Sequence, residues 1–389
     1  MAYISSNANR WYCGRESSYG QIPAITATNR IPAVTMTAKN QREKSERKDK
    51  TGSRTWQGMP SGMRRQTSFQ MTSYMRDWAD PSQLPPHGPL MEAALGGSGM
   101  RWAGGTPAVG TTDLSIRFSA PHGLVPGQAI GSNGELRFVA AVADPSTVVL
   151  NAPFSVVPVV GVALGPTATY SVSAELPSVS IFDYWDPTTA VQRVLSGAAV
   201  DRLTFKLNGD FHEMEFKGMA QDLIDSASFV AGQGSASQFP VEPSTAASTY
   251  SPVPGNLGQV WLGVIPSQLF TVSQATIELR NNLDMRNKEF GSVLPQGINP
   301  GAREILMSVE LFSQDDAATT ALYQASRQQD PVGVMFQMGQ NPGQLMAISL
   351  KSLVPDVPEF DDSDKRLKWR FRDTRAQGTA DDEIVVAFG

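Results

Sequence analysis

The sequence predicts a mainly β chain in which one β unit occurs twice, with a small β module inserted in the first copy. The main observation is an ordered repeat. Thr35-Met36-Thr37-Ala38-Lys39-Asn40-Gln41 and Thr276-Ile277-Glu278-Leu279-Arg280-Asn281-Asn282 each alternate like a strand and end in a basic residue and an amide pair. A polar loop follows each, then a turn with Gly and Arg, Pro60-Ser61-Gly62-Met63-Arg64 or Asn299-Pro300-Gly301-Ala302-Arg303. Alternation resumes at Ser68-Phe69-Gln70-Met71 and at Ser308-Val309-Glu310-Leu311. Two copies are too few for a solenoid, so a duplicated domain is the reading. The second observation is composition: 34 Gly, 27 Pro and only 18% charged residues in 389 suit many strands and turns, and a surface covered by neighbours.

The elements follow in order. Residues 1–30 are polar and irregular and read as an arm. The first unit spans 31–232. It opens with a strand from Ile31 to Asn40 and a long charged loop, 41–54. A returning strand covers Arg64–Met75. Pro89 to Leu95, between an opening Pro and Gly96-Gly97, is a short capped helix. Residues 98–168 are rich in Gly, Pro, Val and Ala, with strands expected at Leu114–Phe118, Glu135–Val142 and Thr147–Leu150; this is the inserted module. Asn208-Gly209 marks a hairpin between Val200–Leu207 and Phe211–Phe216. Residues 233–256 are a low-complexity linker. The second unit, 257–389, pairs Thr276–Asn282 with Ile305–Phe312, and Asp315 and Asp316 cap a helix reaching about Gln328. Val332–Met338, Leu345–Leu350, Leu367–Arg372 and Ile384–Phe388 complete it.

Little points to catalysis. His212 beside Glu213 and Glu215 invites a metal reading, but no second His or Cys lies near, and an ordinary hairpin strand is the better account. Asp361-Asp362-Ser363-Asp364 lacks the glycine and terminal glutamate of a calcium loop. No phosphate loop or nucleophile elbow is found. No catalytic, cofactor or metal residue is therefore expected. The single Cys13 excludes an intrachain disulfide. A net charge of −5 argues against nucleic-acid binding as the main activity, though it allows a pore whose wall repels passing DNA. No apolar run is long enough for a membrane helix and no secretory pattern opens the chain, so a soluble protein made in a cytoplasm is expected.

The charged loops are candidate contacts. Arg42, Lys44, Arg47 and Lys48 lie in the first, and Arg286 and Lys288 in the matching stretch Leu283–Gln296. Long hairpins of mixed charge, found twice, can set register on a neighbour by charge complementarity. Asp361, Asp362 and Asp364 are the available acidic partners on such a neighbour.

A strand ending in Asn-Asn, a long loop, a Gly-x-Arg turn, a strand, a helix with an acidic start and a closing hairpin together resemble the tail tube proteins of long-tailed bacteriophages. The resemblance is clearest over Gln274–Gly389, weaker over Ile31–Asp225, and residues 98–168 depart from it. It implies two β-sandwich or barrel domains of tube type, each with a flanking helix, whose sheets join round a ring. The rings stack into a hollow tube for DNA. A chain with two fused domains is expected to close as a homotrimeric, pseudo-hexameric ring, with a hexamer as the alternative. The implied partners are copies of the chain, tape measure and terminator proteins, and double-stranded DNA that passes without specific binding; no membrane is implied. The implied location is the virion tail, after synthesis in the host cytoplasm. Two other classes remain: a baseplate, capsid or decoration protein, and a carbohydrate-binding or hydrolytic β-sandwich. Only Asp183-Tyr184-Trp185-Asp186, read as a loop or sheet edge, offers aromatics beside paired carboxylates for the latter.

Overall fold

A computed structural model of the chain describes residues 3–44, 48–56, 58, 62–244, 251–263, 267–269 and 271–389. Strand accounts for 45% and helix for 7%, so the mainly β expectation holds. In the first part of the chain, β1 (Asn9–Arg15), β2 (Arg30–Ile31), β3 (Ala33–Arg42) and β4 (Arg65–Tyr74) precede α1 (Gly88–Leu95) and β5 (Met100–Trp102). The inserted module holds β6 (Ser115–Arg117), β7 (Ala129–Ser132), β8 (Glu135–Asp144) and β9 (Thr147–Leu150). The chain returns through β10 (Thr167–Ser171), β11 (Val179–Trp185), β12 (Arg193–Leu207), β13 (Glu213–Ala220) and β14 (Asp222–Asp225). Next come β15 (Gly258–Gly263), β16 (Ser267–Leu269), β17 (Val272–Arg280), a small hairpin of β18 (Asp284–Met285) and β19 (Ile298–Asn299), and β20 (Glu304–Phe312). Then α2 (Ala317–Gln328), β21 (Val332–Met338), β22 (Met346–Leu353), β23 (Glu359–Asp361), β24 (Lys368–Gln377) and β25 (Ile384–Phe388) end the fold.

The pairings repeat in the same order. In the first half β1 pairs with β2 and β11, β3 with β4, and β12 with β13 and β14. In the second, β15 pairs with β16 and β21, β17 with β20, β22 with β25, and β23 with β24. One long bent strand, β12, thus does in the first half what β22 and β23 do separately in the second. Its bend lies at Gly197, where φ is +59° and a Cβ would sit 2.8 Å from Cβ of Gln221, so glycine is required.

The two halves share one antiparallel sheet in the order β3-β4-β13-β12-β17-β20-β24-β23. The seam is β12 against β17, with Leu203 opposite Leu279 and Phe205 opposite Ile277. Alternation sends Met71, Phe216, Leu203, Leu279 and Ile305 to one face, where α1, α2 and the outer strands bury them in one core. Asp316 caps α2 by accepting from the Thr319 N–H at 2.8 Å, as the sequence predicts. Pro89 stands in the first turn of α1 and Gly96 ends it with φ 94°.

Three expectations need correction. The arm is not bare: β1 lies within residues 1–30, and its Tyr12 and Cys13 are fully buried. Asp183-Tyr184-Trp185 is neither loop nor edge, because β11 runs between β1 and β12. The module also has firmer roots than an appended domain. β5 and β10 extend the outer sheet from β25. Ala129, Leu136, Phe138 and Ala152 pack on Trp261, Met335, Ala347 and Val385 of the second half, beside the module's own apolar cluster. Arg137 locks that contact. It is wholly buried, donates to Gln259 Oε1 at 3.2 Å, pairs with Glu135 at 3.2 Å, and lies over the Trp261 ring. Burial lowers its pKa to about 10, so it remains a cation at neutral pH.

Candidate assembly site

The face of the shared sheet opposite the core is polar. Strand register sets its charges in rows across the seam. Gln70, Lys217, Arg202, Arg280 and Glu304 lie side by side on β4, β13, β12, β17 and β20. The next row reads Thr72, Glu215, Thr204, Glu278 and Leu306, and the third reads Tyr74, Glu213, Lys206, Thr276 and Ser308. Two of these carboxylates, Glu215 and Glu278, each serve two cations in the central rows. Glu215 pairs with Lys217 and, at 3.3 Å, with Lys206. Glu278 pairs with Arg280 and, at 3.6 Å, with Arg202. Partial burial disfavours charge on Glu215, yet hydrogen bonds from Lys217 and Lys206 win and hold its pKa below the usual carboxylate value. Farther along, Arg370 meets Glu310 at 3.1 Å and Asp361 at 2.7 Å, and Arg372 meets Glu359 at 3.1 Å.

The lateral borders of this sheet are open. Among the described residues β3 pairs only with β4, and β23 only with β24. Val34 and Thr35 to Arg42 are mostly exposed, as an unpaired edge strand would be.

The register also fixes what lies at the two ends of the strands. Arg42 sits opposite Arg65, and Arg280 opposite Glu304, so the loops 43–64 and 281–303 leave from the same end. Asp361 sits opposite Lys368, and Lys368 opposite Phe312, which is the other end. Within one chain the expected cationic and acidic partners are therefore kept apart. Arg42, Lys44 and Lys48 are exposed, and Arg47 lies outside the described residues. Arg286 pairs with Glu289 in its own loop. The carbonyl of Lys288 accepts from Arg64 Nη2 at 3.1 Å, so the second loop rests on the base of the first. At the acidic end Asp361 accepts from Arg370 and Asp364 meets Lys368 at 3.3 Å, while Asp362 is exposed. Backbone and side-chain hydrogen bonds, to Ser363 and to Lys365 and Lys368 respectively, lower the pKa values of Asp361 and Asp364, so both carry charge at neutral pH.

Sequence reasoning passed over the apolar tips at these ends. Trp56 is 70% exposed on the first loop and Phe290 fully exposed on the second, while Phe360 is 58% exposed at the acidic end, stacked on Trp369. A bulky aromatic amid loop charges was the available signal.

The enzyme-like candidates are structural. His212 hydrogen-bonds the Leu257 carbonyl at 3.0 Å, and Glu213 and Glu215 turn to lysines. Asp183 is buried and paired with Arg193. Among the described residues no cluster of His, Cys, Asp and Glu suits a metal ion, and no helix is long and apolar enough to cross a membrane.

A family model described as phage tail tube protein matches residues 88–389, well over half of the chain. No curated protein matches it.

Proposed function

The chain belongs to the phage tail tube protein family, and we propose that three copies close a ring in which each supplies two consecutive tube units. Membership makes it a structural protein of the virion tail. The units are 31–232, with 98–168 inserted, and 257–389, joined by 233–256. One observation carries the reading: an eight-stranded sheet with a polar face and an open strand on each border. Eight strands closed on themselves would leave room only for side chains. At about 4.8 Å between strands, three copies give a circumference on the order of 115 Å, widened further by tilt, and so a lumen fit for a DNA duplex. Joining β3 of one chain to β23 and β24 of the next removes both open edges. Because the contact is heterologous, it closes when the rotation permits.

The ends of the strands suit stacking. Arg42, Lys44, Lys48, Arg286 and Lys288 leave one end, and Asp361, Asp362 and Asp364 the other, so head-to-tail rings bring opposite charges together. Trp56 and Phe290 would be covered in the same contact. Other tail proteins, such as tape measure and terminator, complete the partners, and the role is non-enzymatic. A hexameric ring, with one unit outside the wall, is the competing arrangement.

Cross-linking tests the ring. Single cysteines at Thr35, Thr37 or Lys39, each combined with Glu359→Cys, should give an oxidised ladder that ends at three chains. A ladder continuing to six, or no cross-link from any pair, would contradict the trimer.

A further inference from the structure

We propose that the polar face is a charge-compensated lattice in which Glu215 and Glu278 occupy a row of cations that would otherwise hold a nucleic-acid phosphate. This deepens the reading of that face as the lumen wall and rests on it. Lys217, Arg202 and Arg280 stand next to one another on three adjacent strands. At about 4.8 Å per strand they span roughly 10 Å, and alone they would be a phosphate-binding strip. Glu215 and Glu278 lie one row above and between them engage all three, with Lys206 as a fourth. The central patch holds four cations, Arg202, Lys206, Lys217 and Arg280, against four carboxylates, Glu213, Glu215, Glu278 and Glu304.

The expectation of a wall that repels phosphate is thereby altered. The central patch is neutral by this count, so the chain's net charge of −5 comes from residues outside it. A balanced face neither grips a polyanion nor repels it, and each cation is satisfied before DNA arrives. The row is set by strand register, so it survives even where an individual exposed pair contributes little.

The test uses the double variant Glu215→Gln/Glu278→Gln, the two single variants, and a control of equal net charge, Asp315→Asn/Asp356→Asn, away from the face. A labelled DNA duplex is titrated against dispersed subunits, on which the face is open, at 50 and 200 mM salt. Wild type and control should bind negligibly. The double variant should bind, and the two cations it leaves without a carboxylate, Lys217 and Arg202, should weaken that binding about 12-fold between the two salts. Each single variant should show a smaller gain, which keeps the test decisive if the double variant fails to fold. Equal binding by variants and control, or salt-sensitive binding by wild type, would overturn the lattice. Electron microscopy of the same wild-type sample judges tube formation separately, so loss of the tube reading and loss of the lattice are distinguishable.

Discussion

At the end of β17 the Asn281 amide donates to the Ala94 carbonyl of α1 and to the Val200 carbonyl of β12, both at 2.9 Å, in a buried site. Asn281→Leu should therefore cost about 1–3 kcal/mol in urea melts, because two buried acceptors lose their donor. Asn40→Ala, at the matching amide of the first copy, should cost little, since Asn40 is exposed. Equal losses would show that the two amide pairs are equivalent after all. The sequence displays both pairs alike; what separates them is that β17 is interior and β3 is an edge, a fact of sheet order. His87 makes the same point. It reads as a loop residue near proline, yet it is buried against Ser73 Oγ at 2.8 Å. Burial, with the nearby Arg76 charge, lowers its pKa from 6.5 to about 3. Below pH 6.5 the unfolded chain binds a proton that the folded chain refuses, so stability falls as pH drops from about 6.5 towards 3. The loss should reach about 2 kcal/mol at pH 5. Denaturation of His87→Gln at pH 7 and pH 5 should lack that increment; an undiminished pH dependence would place its origin elsewhere.

Elements exposed on one face were legible, because alternation survives there: β3, β4, β17, β20 and β24 fall close to their expected positions. β11 was missed because both its faces are covered, with Asp183 neutralised by Arg193, so its residues do not alternate. β7 is short, and β1 hides in a polar stretch. The Asn208-Gly209 hairpin exists, but Lys206 pairs with Glu213, so its loop is longer than two residues. At this scale the module's removal is informative. β5 and β10 must stay, as they pair into the outer sheet. Replacing 104–165 by a Gly linker uncovers Trp261, Met335 and Val385. That excision should leave assembly intact only when those residues are also made polar; tubes from the plain deletion would mean the contact is dispensable. For the loops, Arg42, Lys44, Arg47 and Lys48 reversed to Glu should give single rings or subunits, since each exposed pair is worth only about 0.2–1 kcal/mol but recurs round the ring. Wild-type tubes should likewise shorten towards 1 M salt, where screening acts within roughly 3 Å. Unchanged tube lengths in the quadruple variant would reduce the loop to a solvated tip.

For the whole molecule, the repeat in the sequence carried the fold class and the family resemblance, and residues 88–389 match that family. The sequence could not show the single sheet that unites both halves. That sheet depends on β12 meeting β17, a contact between residues more than 60 positions apart with no local signature. The same pairing decides which side chains share the polar face and which end carries each charged segment. It also gives one chain two open borders, the feature on which the proposed three-chain ring rests. Cryo-electron microscopy of the purified assembly tests that number most directly. A hollow tube with three chains per ring, its inner wall continuous from β3 of one chain to β23 and β24 of the next, is the predicted result. Rings of six chains, or a wall that β3 does not join, would contradict it.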